Sequence, residues 1–260
     1  MGSHSHVQIP KGILKAFSHR TKDGNCVYYL DLHDMQIYTQ KIKVLNAVQD
    51  FFSAPTERLL DAVYENPFLQ LAVAVREFST GKLPILKLTE DQQKDIRSFI
   101  KMSVMRSNYT FDLIEKTSLV GAVIPDSLHD LAIWAAHNTL SNFEFFEDYK
   151  LNILVNYSDV RLVVPKNCIG YSSSNGEPFI VLPLSPEVAI LYQSPKFYQE
   201  CIDEDKALKH VVYKKGDEAE IRALNVHIAK SERFFNDEFV VGYKKEELEI
   251  LKSDLSGEPK

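Results

Sequence analysis

The sequence predicts a single α+β domain over residues 1–260, with a mainly antiparallel sheet, a helical middle section over about 55–147 and a C-terminal helix. Three observations carry that expectation. Residues 26–32 and 36–42 alternate polar and apolar side chains across a short polar connection, the pattern of a hairpin. From Pro55 onward, apolar residues recur every three or four positions, the period of a helix with one buried stripe. Beyond Leu151 the period changes again, and two unbroken apolar runs meet at Pro183-Leu-Ser-Pro186.

Taken in order, residues 6–17 form an apolar segment entered through Pro10, either a short helix or an extended arm docked on the core. The hairpin follows, with His33 and Asp34 at its turn. Pro55-Thr-Glu57 opens a helix carrying Leu59, Leu60 and Val63. It should stop at Asn66-Pro67, because proline suits a first turn and harms an interior. A second helix then starts with Asn66 as its cap, runs through Leu71 and Val75, and stops at Gly81. Thr89-Glu-Asp-Gln92 matches a capping box ahead of Ile96, Phe99 and Ile100, in a helix ending near Arg106. Another helix begins at Asp126 or Ser127, with Leu128, Leu131, Ala135 and Phe146 at helical spacing.

Strands are expected over 151–157, 160–164 and both halves of 179–192, with a polar loop over 172–176. Pro183 and Pro186 fix two φ angles and remove two donors, so a rigid corner should join two fully buried strands. Residues 218–235 return to helix with Ile221, Leu224, Ile228 and Phe235 inward, and 239–243 form a last strand. The charged tail after Lys244 is expected to fray.

Composition narrows the function classes. Hydrophobic residues at 45% and charged residues at 25% are ordinary for a globular protein. No apolar run approaches the ~18 residues of a membrane span, and the N-terminus lacks a signal-peptide core, so a cytoplasmic protein without membrane contact is expected. His6 stands where a myristoylation motif needs Ser or Thr. Gly2-Ser-His4 reads equally as native sequence or as a cloning remnant. Cys26, Cys168 and Cys201 are widely separated and contain no Cys-x-x-Cys, which predicts neither a disulfide nor a zinc site. A formal charge of −6 speaks against a general nucleic-acid coat and leaves room for a local basic groove.

The catalytic signatures His-Glu-x-x-His, GxGxxG, Walker and G-x-S-x-G are all missing, and neither a cofactor nor a metal is expected. His129 and His137, eight apart, read as structural histidines. Glu57, Asp61 and Glu65 at four-residue spacing read as a solvated acidic stripe. Arg97, Lys101 and Arg106, with Tyr109 close by, form the basic cluster with an aromatic neighbour, a candidate receiver of phosphate or carboxylate.

Four stretches carry a resemblance: His6-Val-Gln-Ile-Pro10 with Leu14-Lys-Ala-Phe17, the helix ending at Arg106, Pro183-Leu-Ser-Pro186, and Leu224-Asn225 followed by Arg233. Together they resemble the bacterial domain-of-unknown-function family 4238, with its His-Tyr-Val-Pro-like start and its apolar strand entering Pro-Leu-Ser-Pro. The chain departs from that pattern at Val164-Pro-Lys-Asn-Cys168, where the family tends to show Ser-Asp-x-Pro. The resemblance implies a bacterial or phage cytosolic protein and supplies no established reaction.

The function expected first is an accessory protein of the defence or toxin type that recognises a phosphate-bearing ligand, a nucleotide or RNA, with metal-independent nuclease chemistry. His6 and Arg106 are the candidate catalytic residues, a general base and a stabiliser of developing phosphorane charge. Asn225, Arg233, Arg97 and Lys101 are the candidate ligand contacts. The N-terminal arm would cross a groove between the helices at 96–106 and 218–235, with Arg106 facing outward. The alternative is a non-catalytic protein–protein interaction module in which these polar residues are internal staples. Convergence on an open pocket favours the first; burial in mutual hydrogen bonds favours the second.

Overall fold

A computed structural model describes residues 5–7, 9–45, 47–49, 52–82, 88–110, 112, 128–139, 148–174, 177–195, 212–234 and 238–257. The N-terminal part holds β1 (Ser5–Val7), α1 (Lys11–Ala16), β2 (His19–Thr21), β3 (Gly24–Asp31), β4 (Ile37–Lys41) and β5 (Ala47–Gln49). The helical middle comprises α2 (Ala54–Leu59), a π-helical turn (Leu60–Glu65), α3 (Asn66–Ser79), α4 (Glu90–Met105) and α5 (Leu128–Thr139). Strands β6 (Lys150–Asn156), β7 (Val164–Pro165), β8 (Gly170–Ser174), β9 (Glu177–Ser185), β10 (Val188–Gln193) and β11 (Val212–Gly216) follow. The chain closes with α6 (Glu218–Phe234), β12 (Phe239–Gly242) and α7 (Lys245–Gly257).

The expected α+β architecture holds, with antiparallel sheets and helices in the middle and near the C-terminus. One sheet is ordered β11-β6-β10-β9-β8, the other β2-β3-β12-β7 with β4 added to β3. β11 runs parallel to β6, and β1 with β5 makes a separate ribbon.

All residues of β10 are buried, which is why its sequence shows no alternation. Register places Ile190 between Ile153 and Leu182. That row packs with Phe68 and Leu71 of α3 and Ile96 and Phe99 of α4. The alternate row, Leu154, Val181, Ala189 and Leu191, packs with Ile221, Leu224 and Ile228 of α6 and Leu248 of α7. The sheet therefore carries α3 on one face, with α4 packed behind it, and α6 on the other, lying along β8; α7 packs on β3, β4 and β12 of the second sheet.

The two apolar runs pair as expected, but Pro183-Leu-Ser185 belong to β9 and the turn is confined to Pro186-Glu187. Pro183 pairs with Ala189 where the register shifts, a place that tolerates a residue without an N–H, and Pro186 lies in the turn. Thr89 caps α4, its Oγ1 accepting from Gln92 N at 3.2 Å while Gln92 Oε1 accepts from Thr89 N at 2.9 Å. Gly81, at φ +75°, ends α3, its N–H donating to Phe78 O and that of Lys82 donating to Glu77 O. The β3–β4 hairpin turns at His33 and Asp34.

α6 lies close against β8, so a Cβ on Gly170 would come within 2.8 Å of Ile228 Cγ1 and 3.4 Å of its Cα. Gly170→Ala should lower stability by about 1–3 kcal/mol through overpacking. The measurement is a urea midpoint at constant slope; an unchanged midpoint would show that α6 has room to retreat.

Several local expectations are corrected. The helix opened at Ala54 does not stop at Asn66-Pro67 but continues into α3 through the π-helical turn, where Asn66 N bonds Asp61 O, five residues back. Pro67 has no N–H to return to Val63 O, and in an α-helix its ring would press on that carbonyl. The wider π register lets the chain pass it. Asn66 is thus helical, at φ −62° and ψ −46°, rather than a cap. Val63 is turned outward, 43% exposed, while Tyr64 is 3% exposed.

In α5, Ala135 is exposed, and Ala132, Ile133 and Ala136 are the buried stripe because they face Leu60, Tyr64 and Met102. Asp126, Ser127, Phe146 and Phe235 lie outside the described residues, as do the side chains of Leu128 and Leu131. Residues 160–163 form no strand; β7 begins only at Val164. Ser172 to Ser174, expected in a loop, belong to β8 and pair with residues 177–179 of β9. Asn175 and Gly176 lie outside the described residues. The tail after Lys244 is helix α7, started by Lys244 N donating to Glu247 Oε2 at 2.9 Å and anchored by buried Leu248 and Leu251.

Candidate functional site

Of the polar side chains that sequence reading singled out, Arg97, Lys101 and Arg106 lie in the helical layer and Asn225 lies beneath α6. In the helical layer the π-helical turn aims two neighbours in different directions. Tyr64 Oη lies 2.7 Å from His137 Nδ1 of α5, and Glu65 Oε1 accepts from Arg106 Nη1 at 2.7 Å. Trp134 Nε1 donates to the buried Thr56 Oγ1 at 3.0 Å, and Ser53 N donates to Asp130 Oδ1 at 3.0 Å. Trp134 also meets His137 edge-on, with ring centroids 5.9 Å apart. These contacts tie α2, the π-helical turn, α4 and α5 into one layer. Burial raises the Tyr64 phenol above its ordinary range, so it stays protonated in that layer.

Arg106 ends α4 as expected, yet it does not face outward. It is 3% exposed, and its ion pair with Glu65 uses the charge that a ligand would need. At ~100° per residue, Arg106 lies about 140° around α4 from Lys101, while Arg97 and Lys101 are about 40° apart. The basic cluster is therefore split, with Arg97 and Lys101 half-buried on α4 and Arg106 turned into the layer. The acidic stripe is not uniformly solvated: Asp61 is exposed, while Glu65 is turned to Arg106.

Asn225 sits on the other side of the sheet. It is 3% exposed; its Nδ2 donates to Arg161 O at 2.7 Å and its Oδ1 accepts from Val163 N at 3.0 Å. One amide thus supplies the hydrogen bonds that a neighbouring strand would give residues 161–163, and the segment runs beside α6 without a ladder. His6 lies in β1 opposite Val48 of β5, and Arg233 lies in the last turn of α6; the side chains of both are outside the described residues. A further staple went unnoticed in the sequence: Arg76 Nη1 donates to Leu184 O at 3.1 Å, fastening α3 to the proline corner. Burial pulls the Arg76 guanidinium below its ordinary range.

Two surface clefts frame these groups. A groove of about 770 Å³ separates α6 from α7 and is crossed by the two-bond pair of Arg222 with Asp254. A smaller cleft of about 240 Å³ lies between the π-helical turn, α3 and α4. Neither is lined by Arg97, Lys101, Arg106 or Asn225. Among the described residues no helix is long and apolar enough to cross a membrane, and no three His, Cys, Asp or Glu side chains gather to hold a metal ion. Compared with protein-family models, curated proteins and solved structures, the chain matches none.

Proposed function

We propose that this protein is a non-catalytic protein–protein interaction module whose conspicuous polar residues fasten its own elements together. The observation that carries the reading is Asn225, whose donor and acceptor are both engaged by the main chain of residues 161–163 while the side chain is buried. The Arg106–Glu65 pair supports it in the same way. A phosphate site would need Arg106 and Asn225 to face one open pocket, whereas the apolar residues of α4 and those of α6 belong to cores on opposite faces of the β6–β10–β9 sheet. Surface aromatic groups suited to a partner are present on the helical layer, with Trp134 39% exposed and Tyr109 48% exposed.

Asn225→Ala tests the proposal. As a staple, its loss leaves buried main-chain groups without partners and should cost about 1–3 kcal/mol. Thermal melting reads that loss, and calorimetric titration of the wild-type chain with inorganic phosphate, ATP and a short RNA should give no binding heat. A wild-type chain that binds any of these, together with an Asn225→Ala variant that loses binding and keeps its melting temperature, would overturn the reading.

A further inference from the structure

We infer that the cleft between the π-helical turn, α3 and α4 receives the guanidinium of an arginine side chain presented by the partner protein. The inference rests on the interaction-module reading and names what one part of that surface would recognise. Three features of the cleft lead to it.

The first is charge. Asp95 of α4 lines the cleft and forms no hydrogen bond or ion pair among the described residues. Asp91, one turn earlier, adds a like charge, which is unfavourable at this spacing on a helix. Partial burial first, and Asp91 second, hold the Asp95 carboxyl above the usual carboxylate range, with Lys94 pulling weakly the other way. A carboxylate in that setting gains from an incoming cation.

The second is hydrogen bonding. Asn66 and Gln70, both exposed, line the same cleft and carry side-chain amide carbonyls. Gln92 is oriented by its capping bond with Thr89 N, so its position at the wall is fixed. A guanidinium has five donors in one plane: two can pair with a carboxylate, and the others can reach amide carbonyls. An ammonium has three donors on a compact, strongly hydrated centre and matches this spread less well. A calcium ion takes six to eight oxygen ligands, more than one carboxylate and two amides provide.

The third is the apolar lining. Leu71, 2% exposed, lines the cleft together with Pro67 and Ala62. That apolar surface suits the methylene stem of arginine, which lies along such surfaces while the charged end stays polar-bound.

The test uses the isotopically labelled full chain titrated with three short capped peptides, Gly-Arg-Gly, Gly-Lys-Gly and Gly-citrulline-Gly. Citrulline keeps the shape of arginine and lacks its charge. The arginine peptide should move the side-chain amide resonances of Asn66, Gln70 and Gln92 with a Kd on the order of 1 mM. It should also lower the titration midpoint of the Asp95 carboxyl. The citrulline and lysine peptides should bind at least about tenfold more weakly, and Asp95→Asn should remove the response while leaving the melting temperature unchanged. An arginine peptide that moves none of these resonances, or moves them equally in Asp95→Asn, would overturn the site, as would equal binding of lysine. Failure here with an early-melting Asn225→Ala variant retires the arginine site alone; phosphate, ATP or RNA binding by the wild-type chain that is lost in an Asn225→Ala variant of unaltered melting retires the interaction reading.

Discussion

Ile190→Asp should leave the chain unable to hold its native fold. Ile190 is 0% exposed, and its neighbours across the sheet are Ile153 on one side and Leu182 on the other. An aspartate there would have no cation and no donor to satisfy it, since the main chain on both sides is engaged in the sheet. Substitutions that bury an unpaired charge belong to the class costing more than about 4 kcal/mol, against a total stability of roughly 5–15 kcal/mol. Ile190→Val removes one methylene from the same place and should cost only about 0.5–1.5 kcal/mol. Circular dichroism melts of the two variants provide the check. An Ile190→Asp protein that melts with the wild type would mean that β10 is not the centre of the sheet.

What could be read from sequence was local and had a mechanism within a few residues. The capping box at Thr89 and Gln92, the stop at Gly81 and the pairing of the two apolar runs about Pro186 each depend on bonds spanning a few positions, and each is present. The parts that sequence left open depend on distant partners. Asn225 reaches residues 62 and 64 positions away, Arg106 reaches Glu65 across 41, and Tyr64 meets His137 across 73. A buried polar side chain with distant partners has the same composition signature as a binding residue, so sequence alone could not assign it.

The break expected at Pro67 failed for a related reason. The rule that proline ends a helix is sound locally, but the chain had a second way past the ring, through a π-helical turn. The packing of Leu60 and Tyr64 against Ile133 and Met102 holds that turn in place. The same turn sets where Glu65 points, which makes the fate of Arg106 a consequence of Pro67.

Removing Arg106 therefore tests the helical layer as a unit. Its Nη1 lies 2.7 Å from Glu65 Oε1, with side-chain exposures of 4% and 18%. Taking one partner from a buried ion pair typically costs about 3–5 kcal/mol, because the other charge is stranded. Glu65 still reaches water, so Arg106→Ala should fall lower, at about 1–3 kcal/mol. Removing both partners should cost less than the sum of the single changes, since no charge is then stranded, and the cycle should return a coupling of at least about 0.5 kcal/mol. Chemical denaturation of the two single variants and the double variant measures all three quantities. If Arg106→Ala unfolds at the wild-type midpoint, the pair is not holding α4 against the π-helical turn, and the guanidinium is available to bind something else.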